Sequence, residues 1–248
     1  QEQLLTCLIL RAYLRTTYRG LIEFLEVSDA VRKRLGVTTL PHYSTLKKFA
    51  DRSSVLDIVD VMLHELVQKF ALAEEEAAMD STGRETTSAS AHFQSRSGKK
   101  RTKYVKLSVC VLVGSLIPSG LAVSWGPGND KSEAPDVLAK ASTSSQPKRL
   151  FADAGYDAEW VHEFCRDRWQ VESVIKPAVH RADGGLNGQY RSQMTEETLK
   201  EKGYGKRWLV ESFMSGLKRT TGSTLTSRND RSLFVEAALR VLAYALRR

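Results

Sequence analysis

Short apolar runs that alternate with helical patterns in the second part of the chain constrain the fold most. Residues 105–113 and 121–125 are apolar and β-branched, and the glycine-containing turn between them predicts an antiparallel pair of strands. Residues 149–153 and 171–175 predict two more strands, with a helix over residues 158–169 between them. Strands that alternate with helices are typical of a sheet covered by helices. This part of the chain is therefore predicted to be α/β.

The N-terminal third carries only helical patterns, and its predicted helices span residues 4–14, 18–26, 28–36, 41–50 and 54–70. Short helices joined by tight turns are typical of helix-turn-helix units, in which Tyr43, Lys47 and Lys48 would lie on the recognition helix. Small helical bundles that do not bind DNA share this pattern, so both interpretations stay open. We expect residues 1–73 to form an all-α domain ahead of an α/β domain over residues 74–248.

Four polar side chains share one face of a predicted helix near the C-terminus: Tyr204, Arg207, Glu211 and Lys218. At about 100° per residue they fall within roughly 60° of one another. The opposite face is apolar and suited to a core. One carboxylate is thus flanked by two cations and a phenol, a set that can bind metal and phosphate. A surface helix with ordinary charges would show the same pattern.

Two aspartates lie where a sheet presents functional groups. Asp153 ends the apolar run and Gly155 turns the chain, so the strand is expected to present this carboxylate at its C-terminal end. Open α/β sheets bind ligands at the carboxyl ends of their strands. Asp80 is a second candidate, although the apolar run before it is short. Asp157 is interpreted as structural, as the N-cap of the following helix.

The candidate site combines three carboxylates and no clustered His or Cys: Asp80, Asp153 and Glu211. Such a set suits hard cations, Mg²⁺ or Mn²⁺, with oxygen ligands. Two ions about 4 Å apart can activate an attacking oxygen and stabilise the leaving oxygen in phosphoryl transfer. Arg207 and Lys218 would bind the non-reacting phosphate oxygens. Tyr204 would bind a phosphate or stack on a base, unless it only caps the start of the helix.

The order of these residues resembles the bacterial insertion-sequence transposases of the DDE type. Asp80-Ser-Thr-Gly is followed by Asp153-Ala-Gly-Tyr and then by Tyr204-x2-Arg207-x3-Glu211-x6-Lys218, which matches the family's Y-R-E-K signature at every spacing. The resemblance runs from about Leu14 to Leu246. It implies an RNase H-like, retroviral-integrase-like core, in which helices flank a mixed sheet. The 58 residues between Asp153 and Glu211 show no strand pattern for the β-rich insertion that some members carry.

Positive charge is concentrated in the predicted α/β domain. Residues 1–79 hold 10 Lys and Arg against 11 Asp and Glu, whereas residues 80–248 hold 27 against 18. This excess suits a polyanionic substrate, although a solvated basic surface would look the same. The polar segment 81–103 predicts a loop and ends in several cations, of which Lys99, Lys100 and Arg101 are expected to contact DNA phosphates. The Gly-rich, polar segment 181–203 predicts a second loop, and the apolar run 234–246 predicts a final helix that packs as a lid or joins a partner.

The resemblance implies a DNA transposase that cleaves at terminal inverted repeats and joins the freed 3′-hydroxyl ends to target DNA, with two Mg²⁺ or Mn²⁺ ions. Its partner would be double-stranded DNA, on which a homodimer would pair the two element ends. An RNase H-like nuclease or resolvase without strand transfer is one alternative. A domesticated protein that binds DNA without catalysis is another.

The cysteines and the hydropathy of the chain predict where in the cell the protein is located. Cys7, Cys110 and Cys165 show no CxxC spacing and are expected to be buried, reduced thiols. No signal peptide and no membrane-spanning apolar run is visible, so we expect a cytoplasmic, nucleoid-associated protein. The chain opens at Gln1 rather than at a methionine, which leaves room for residues ahead of it.

Overall fold

A five-stranded mixed sheet forms the centre of the molecule. The computed structural model describes residues 1–71, 73–86, 103–178 and 185–248. The strands are β1 (Glu76–Arg84), β2 (Tyr104–Leu112), β3 (Pro118–Gly126), β4 (Arg149–Ala152) and β5 (Glu172–Ile175). Their order across the sheet is β3-β2-β1-β4-β5, in which β1, β2 and β3 are antiparallel neighbours and β1, β4 and β5 are parallel ones.

Helices cover both faces of this sheet. In chain order they are α1 (Glu2–Leu14), α2 (Tyr18–Glu26), α3 (Asp29–Arg34), α4 (Tyr43–Ala50), α5 (Ser54–Phe70), α6 (Ala134–Ser144), α7 (Glu159–Glu163), α8 (Glu196–Glu201), α9 (Trp208–Thr221) and α10 (Asp230–Ala245). The mixed sheet flanked by helices, with helices ahead of it, confirms the predicted α/β class and is consistent with an RNase H-like core.

β2 is a central strand, and its sequence is mostly apolar. Val105, Leu107 and Val109 point to the face that α9 and α10 cover, whereas Cys110 and Leu112 point to the face that α6 and α7 cover. Both faces of this strand are therefore buried, which removes the apolar–polar alternation of a half-exposed strand. The three free cysteines, Cys7, Cys110 and Cys165, are all buried, as predicted.

α6 crosses β3 at very short range. A Cβ atom added to Gly120 would lie 2.3 Å from the carbonyl oxygen of Val137 and 3.0 Å from the backbone nitrogen of Ala141. Only glycine lets the two backbones approach this closely. The layer on this face of the sheet therefore depends on the absence of a side chain at residue 120.

The N-terminal helices pack against the last helix of the chain. Leu8 of α1, Leu46 of α4 and Val59 of α5 belong to the same buried cluster as Val241 and Leu242 of α10. Nearly all of α10 is buried in this way. The prediction of a final apolar helix over residues 234–246 agrees with α10, and the chain covers this helix with its own side chains, which leaves little of it for a lid or for contact with a partner.

Two predictions of irregular structure are wrong. Ser81–Arg84, which were predicted to open a polar loop, continue β1 and pair with β2 as far as the Arg84–Val105 register. The segment 181–203 was predicted to be a loop, but it contains α8, whose N-cap Thr195 accepts a hydrogen bond from the amide of Thr198. Backbone pairing in the first case and capping in the second outweigh polar composition.

Candidate functional site

The parallel pairing of β1 with β4 places the two aspartates side by side. The register pairs Glu76 with Arg149 and ends with Met79 opposite Ala152. Asp80 follows Met79 within β1, and Asp153 follows Ala152 directly after β4, so the two aspartates emerge side by side where β4 ends. Asp80 itself lies in the middle of β1 rather than at its end, because β1 continues along β2.

Asp80 is the most perturbed carboxyl group of the site. Its side chain is only 18% exposed, and its Oδ1 accepts a hydrogen bond from the backbone amide of Ser81 at 2.7 Å. Burial, together with the negative charges of Asp153 and Glu211, raises the pKa of Asp80 to about 6. A carboxylate that is desolvated beside like charges gains from any cation that enters the group.

Asp153 caps the turn that follows β4. Its Oδ1 accepts a hydrogen bond from the amide of Gly155 at 2.9 Å, at the start of the 3₁₀ turn Ala154–Tyr156. Burial raises the pKa of Asp153, and the neighbouring carboxylate of Asp130 raises it further. Asp153 therefore faces a second acidic residue that the sequence analysis did not single out.

Arg207 connects the C-terminal helix to the aspartates. One guanidinium nitrogen lies 2.5 Å from Oε1 of Glu211, and the other lies 3.5 Å from Oδ2 of Asp80. Glu211 is 54% exposed and lies in the first turn of α9. The guanidinium thus bridges two of the three predicted carboxylates and offsets part of their mutual repulsion.

The Y-R-E-K residues do not lie on one continuous α-helix. Tyr204–Arg207 form a 3₁₀ turn, and α9 begins only at Trp208, which corrects the predicted single helix. The apolar face of α9 is nevertheless as predicted, since Val210, Phe213 and Leu217 are buried.

Tyr204 and Lys218 lie at opposite ends of this segment. Tyr204 packs partly into the core, and burial raises the pKa of its hydroxyl, with Asp153 and Asp80 adding to the rise. Lys218 lies two turns beyond Glu211, about 10 Å along the helix axis. Burial and the positive charge of Arg84 lower the pKa of Lys218. The structure therefore gathers Tyr204 near the carboxylates and sets Lys218 apart from them.

The predicted phosphate-binding cations Lys99, Lys100 and Arg101 lie outside the residues that the structure describes. Asp157 is structural, as predicted, but it is not the N-cap of α7, which is Ala158. Its carboxylate accepts hydrogen bonds from Arg191 and from the amide of Ala178, and these donors, with His162, hold the pKa of Asp157 well below its usual range against the effect of burial.

Four residues beside Asp80 and Asp153 escaped the sequence analysis: Ser81, Lys106, Asp130 and Glu133. Asp130 and Glu133 fall in a segment that reads as a turn followed by a helix, which is a common setting for acidic residues. Lys106 carries the one visible signal, because it interrupts the apolar run of β2 with a charge. A charged residue inside a buried strand needs a partner.

The donor chemistry of the site suits a divalent cation, but the carboxylates are not assembled around one position. Asp80 and Asp153 offer partly buried carboxylate oxygens, and carboxylate oxygens are the ligands that Mg²⁺ and Mn²⁺ prefer. Glu211, in contrast, is paired with Arg207. Across the described ranges, no group of three or more His, Cys, Asp or Glu side chains is arranged to hold a metal ion. The two aspartates therefore fit such an ion, and Glu211 would join them after exchanging its guanidinium partner.

Comparison with known proteins identifies the family. The family model described as the transposase DDE domain matches residues 72–246, well over half of the chain. The protein therefore belongs to the transposase DDE domain family, whose members act on DNA and generally use divalent metal ions. A search of curated proteins gives no match. In the part of the chain that the structure describes, none of the helices has the length and apolar character needed to span a membrane.

Proposed function

We propose that this protein is the transposase of an insertion sequence, which cleaves phosphodiester bonds at terminal inverted repeats and transfers the freed strands to target DNA. One observation carries the proposal: in a chain of this family, Asp80 and Asp153 emerge side by side from β1 and β4, and Arg207 links Asp80 to Glu211. The match of Tyr204, Arg207, Glu211 and Lys218 to the Y-R-E-K spacing supports the insertion-sequence origin.

Asp80, Asp153 and Glu211 would hold one or two Mg²⁺ or Mn²⁺ ions. When bound, such ions polarise the reacting phosphate and lower the pKa of the attacking oxygen's proton. The residues of the chain supply the binding and orientation. Burial of Asp80 beside Asp153 and Glu211 disfavours its ionised form, so a cation that enters the group stabilises this carboxylate. Glu211 is exposed and stands at the start of a helix, so it can turn from Arg207 to the aspartates without disturbing the core.

Arg207, Lys218 and Tyr204 would bind DNA beside the reacting phosphate. Arg207 already reaches the carboxylates, so its guanidinium is placed to bind a non-reacting phosphate oxygen that arrives there. Lys218, about 10 Å further along α9, would contact the phosphate of a neighbouring nucleotide. The cations Lys99, Lys100 and Arg101 would add contacts along the DNA backbone. Because its substrate is DNA, we expect the protein at the nucleoid.

We further propose that residues 1–73 act as a DNA-binding helical domain ahead of a catalytic domain over residues 74–248. α4 carries Lys47 and Lys48 on an exposed side, and Tyr43 at its start binds Arg19 of α2. Two protomers would assemble on paired element ends, since joining both ends needs two sites.

A strand-transfer assay tests the proposed function. The purified chain is incubated with Mg²⁺, a duplex that carries the element's own end, and a supercoiled target plasmid. Products in which the end is covalently joined to the plasmid are expected. Cleaved ends without joined products would favour a nuclease, and binding without either product would favour a domesticated DNA-binding protein.

A further inference from the structure

A polar cluster with a buried lysine at its centre lies beside the two aspartates, on the α6 side of the sheet. Its members come from β1, β2, β3 and the segment before α6, and they are Ser81, Lys106, Ser124, Asp130 and Glu133. They lie on the sheet face opposite to α9, so they contact neither Glu211 nor Arg207 in the described arrangement. None of them belongs to the set that the proposed function uses.

Lys106 is the centre of this cluster. It is only 3% exposed, and its Nζ lies 2.8 Å from Asp130 and 2.8 Å from Glu133. It also donates a hydrogen bond to the carbonyl oxygen of Gly128 at 3.0 Å. Glu133 accepts a second hydrogen bond, from Ser124 at 2.8 Å. The buried ammonium therefore ties the segment 128–133 to β2 and β3.

Asp130 is the member that reaches the site. Its Oδ1, which binds Lys106, also accepts a hydrogen bond from the hydroxyl of Ser81, the residue directly after Asp80. Its Oδ2 lies on the other side, over the turn that follows Asp153. A Cβ atom placed on Gly155 would lie 2.6 Å from Oδ2 of Asp130 and 2.9 Å from Oδ1 of Asp153. Asp130 thus touches both strands at the point where Asp80 and Asp153 emerge.

We propose that Asp130 is a positioning residue for the reaction, which fixes Asp80 and Asp153 relative to each other. Through Ser81 it fixes the backbone of β1 just beyond Asp80, and over Gly155 it limits the movement of the Asp153 turn. Lys106 holds Asp130 in this position through an ion pair, and the same ammonium group also pairs with Glu133. The inference rests on the proposed function, because it concerns the carboxylates that would hold the metal. A group that orients metal ligands in this way typically changes metal affinity or activity by about 10- to 100-fold.

The two carboxylates on Lys106 allow a matched comparison. Asp130→Ala and Glu133→Ala each remove one of two partners that lie at the same distance from the ammonium, and each leaves the other in place. Only Asp130 touches Ser81 and the Gly155 turn. A purely structural role predicts the same effect for both variants, whereas a positioning role predicts an effect of Asp130→Ala alone. Asp130→Asn keeps the acceptor for Ser81 and serves as the rescue variant.

The readout is the affinity of the full chain for Mn²⁺, measured by titration with electron paramagnetic resonance, together with the Mn²⁺ concentration that gives half-maximal DNA cleavage. We expect Asp130→Ala to weaken both by about 10- to 100-fold. Glu133→Ala should stay within about twofold of the wild-type protein, and Asp130→Asn should recover most of the loss. Thermal unfolding should give similar midpoints for the two alanine variants, which excludes misfolding as the cause.

Equal effects of Asp130→Ala and Glu133→Ala on Mn²⁺ affinity would overturn the inference and leave the proposed function intact. Failure of Asp130→Asn to recover affinity would also overturn it, because the Ser81 hydrogen bond would then not be the cause. A wild-type chain that neither binds Mn²⁺ nor cleaves DNA would instead overturn the proposed function, and the inference with it.

Discussion

The guanidinium of Arg207 lies 3.5 Å from the carboxylate of Asp80, across a sequence separation of 127 residues. The same side chain binds Glu211 at 2.5 Å, so a single cation joins the middle of β1 to the first turn of α9. Cations and carboxylates therefore already alternate where metal and phosphate would bind. A metal ion or a phosphate that binds here would therefore replace ion pairs of Arg207 within a charge cluster that is already assembled.

Replacement of Glu211 by Gln should abolish DNA cleavage and leave DNA binding nearly unchanged. The amide keeps the size of the side chain but loses the charge that holds a hard cation. Cleavage and band-shift assays on the same duplex measure the two effects separately. Glu196→Gln, an exposed carboxylate in the first turn of α8, is the matched control and should cleave at the wild-type rate. Normal cleavage by Glu211→Gln would remove Glu211 from the metal ligands.

Replacement of Arg207 or Lys218 by Ala should weaken DNA binding uniformly across sequences. Each lost phosphate contact should reduce the slope of log affinity against log salt by about one. Lys148→Ala is the control, because this exposed lysine precedes the start of β4, at the opposite end of that strand from Asp153, and its slope should equal that of the wild-type protein. Titrations at several salt concentrations decide the point. An unchanged slope for Arg207→Ala would show that this guanidinium serves only the carboxylates.

The raised pKa of Asp80 predicts how stability depends on pH. The folded-state pKa of about 6 lies above the ordinary value of 3.8, so the folded protein binds the extra proton between these limits. The Asp80 contribution to the free energy of unfolding should therefore fall as pH rises through this window, by about 3 kcal/mol in all. Asp80→Asn should be more stable than the wild-type protein at pH 7, and the difference should vanish below about pH 4.

Denaturant titrations of both proteins at pH 4, 5, 6 and 7 measure this difference. A saturating divalent ion should cancel it at pH 7 in the wild-type protein, because the ion stabilises the ionised carboxylate. Equal stability of the two proteins at pH 7 without metal would show that Asp80 is not desolvated as the structure has it.

Substitution of Gly120 by Ala should destabilise the fold. The added methyl group would lie 2.3 Å from the carbonyl oxygen of Val137, so α6 would have to move away from β3. A cost of about 1–3 kcal/mol is expected for overpacking of this kind. Gly205→Ala is the control, since nothing lies within 4 Å of its added Cβ atom. Thermal unfolding that is unchanged in Gly120→Ala would contradict the close crossing of α6 over β3.

The protein should change from a monomer to a dimer when it binds element ends. Pairing of two ends needs two active sites, while the basic region 80–248 opposes self-association until phosphates neutralise it. Since α10 is covered within its own chain, it would not form the contact. Light scattering with and without end DNA measures the change. One protomer per cleaved pair of ends, at saturating protein, would contradict the paired arrangement.

The sequence predicted the apolar elements well and the polar ones poorly. β2 and β4 could be predicted because burial on both faces gives mostly apolar runs, and α9 because its apolar face repeats with the helical period. The end of β1 was missed, since Ser81 and Gly83 are typical of loops and pair only because β2 lies beside them. Local composition carries no information about such a partner.

Long-range contacts account for what the sequence left out of the candidate site. Asp153 could be predicted from a strand that ends at a carboxylate, but Asp130 lies in a turn and gains its place only through Lys106 and Ser81. The ion pair between Arg207 and Glu211 follows from their spacing of four residues, whereas the contact with Asp80 depends on how α9 docks on the sheet.

The most direct measurement is anomalous diffraction from crystals of the protein with Mn²⁺ and a duplex carrying the element's end. We predict a strong anomalous peak contacted by Asp80 and Asp153, with Glu211 released from Arg207 and turned toward the ion, and with Arg207 on a DNA phosphate. A peak away from these three carboxylates, or an Arg207 that still bridges Asp80 and Glu211 while Mn²⁺ and DNA are bound, would contradict the assignment of the site.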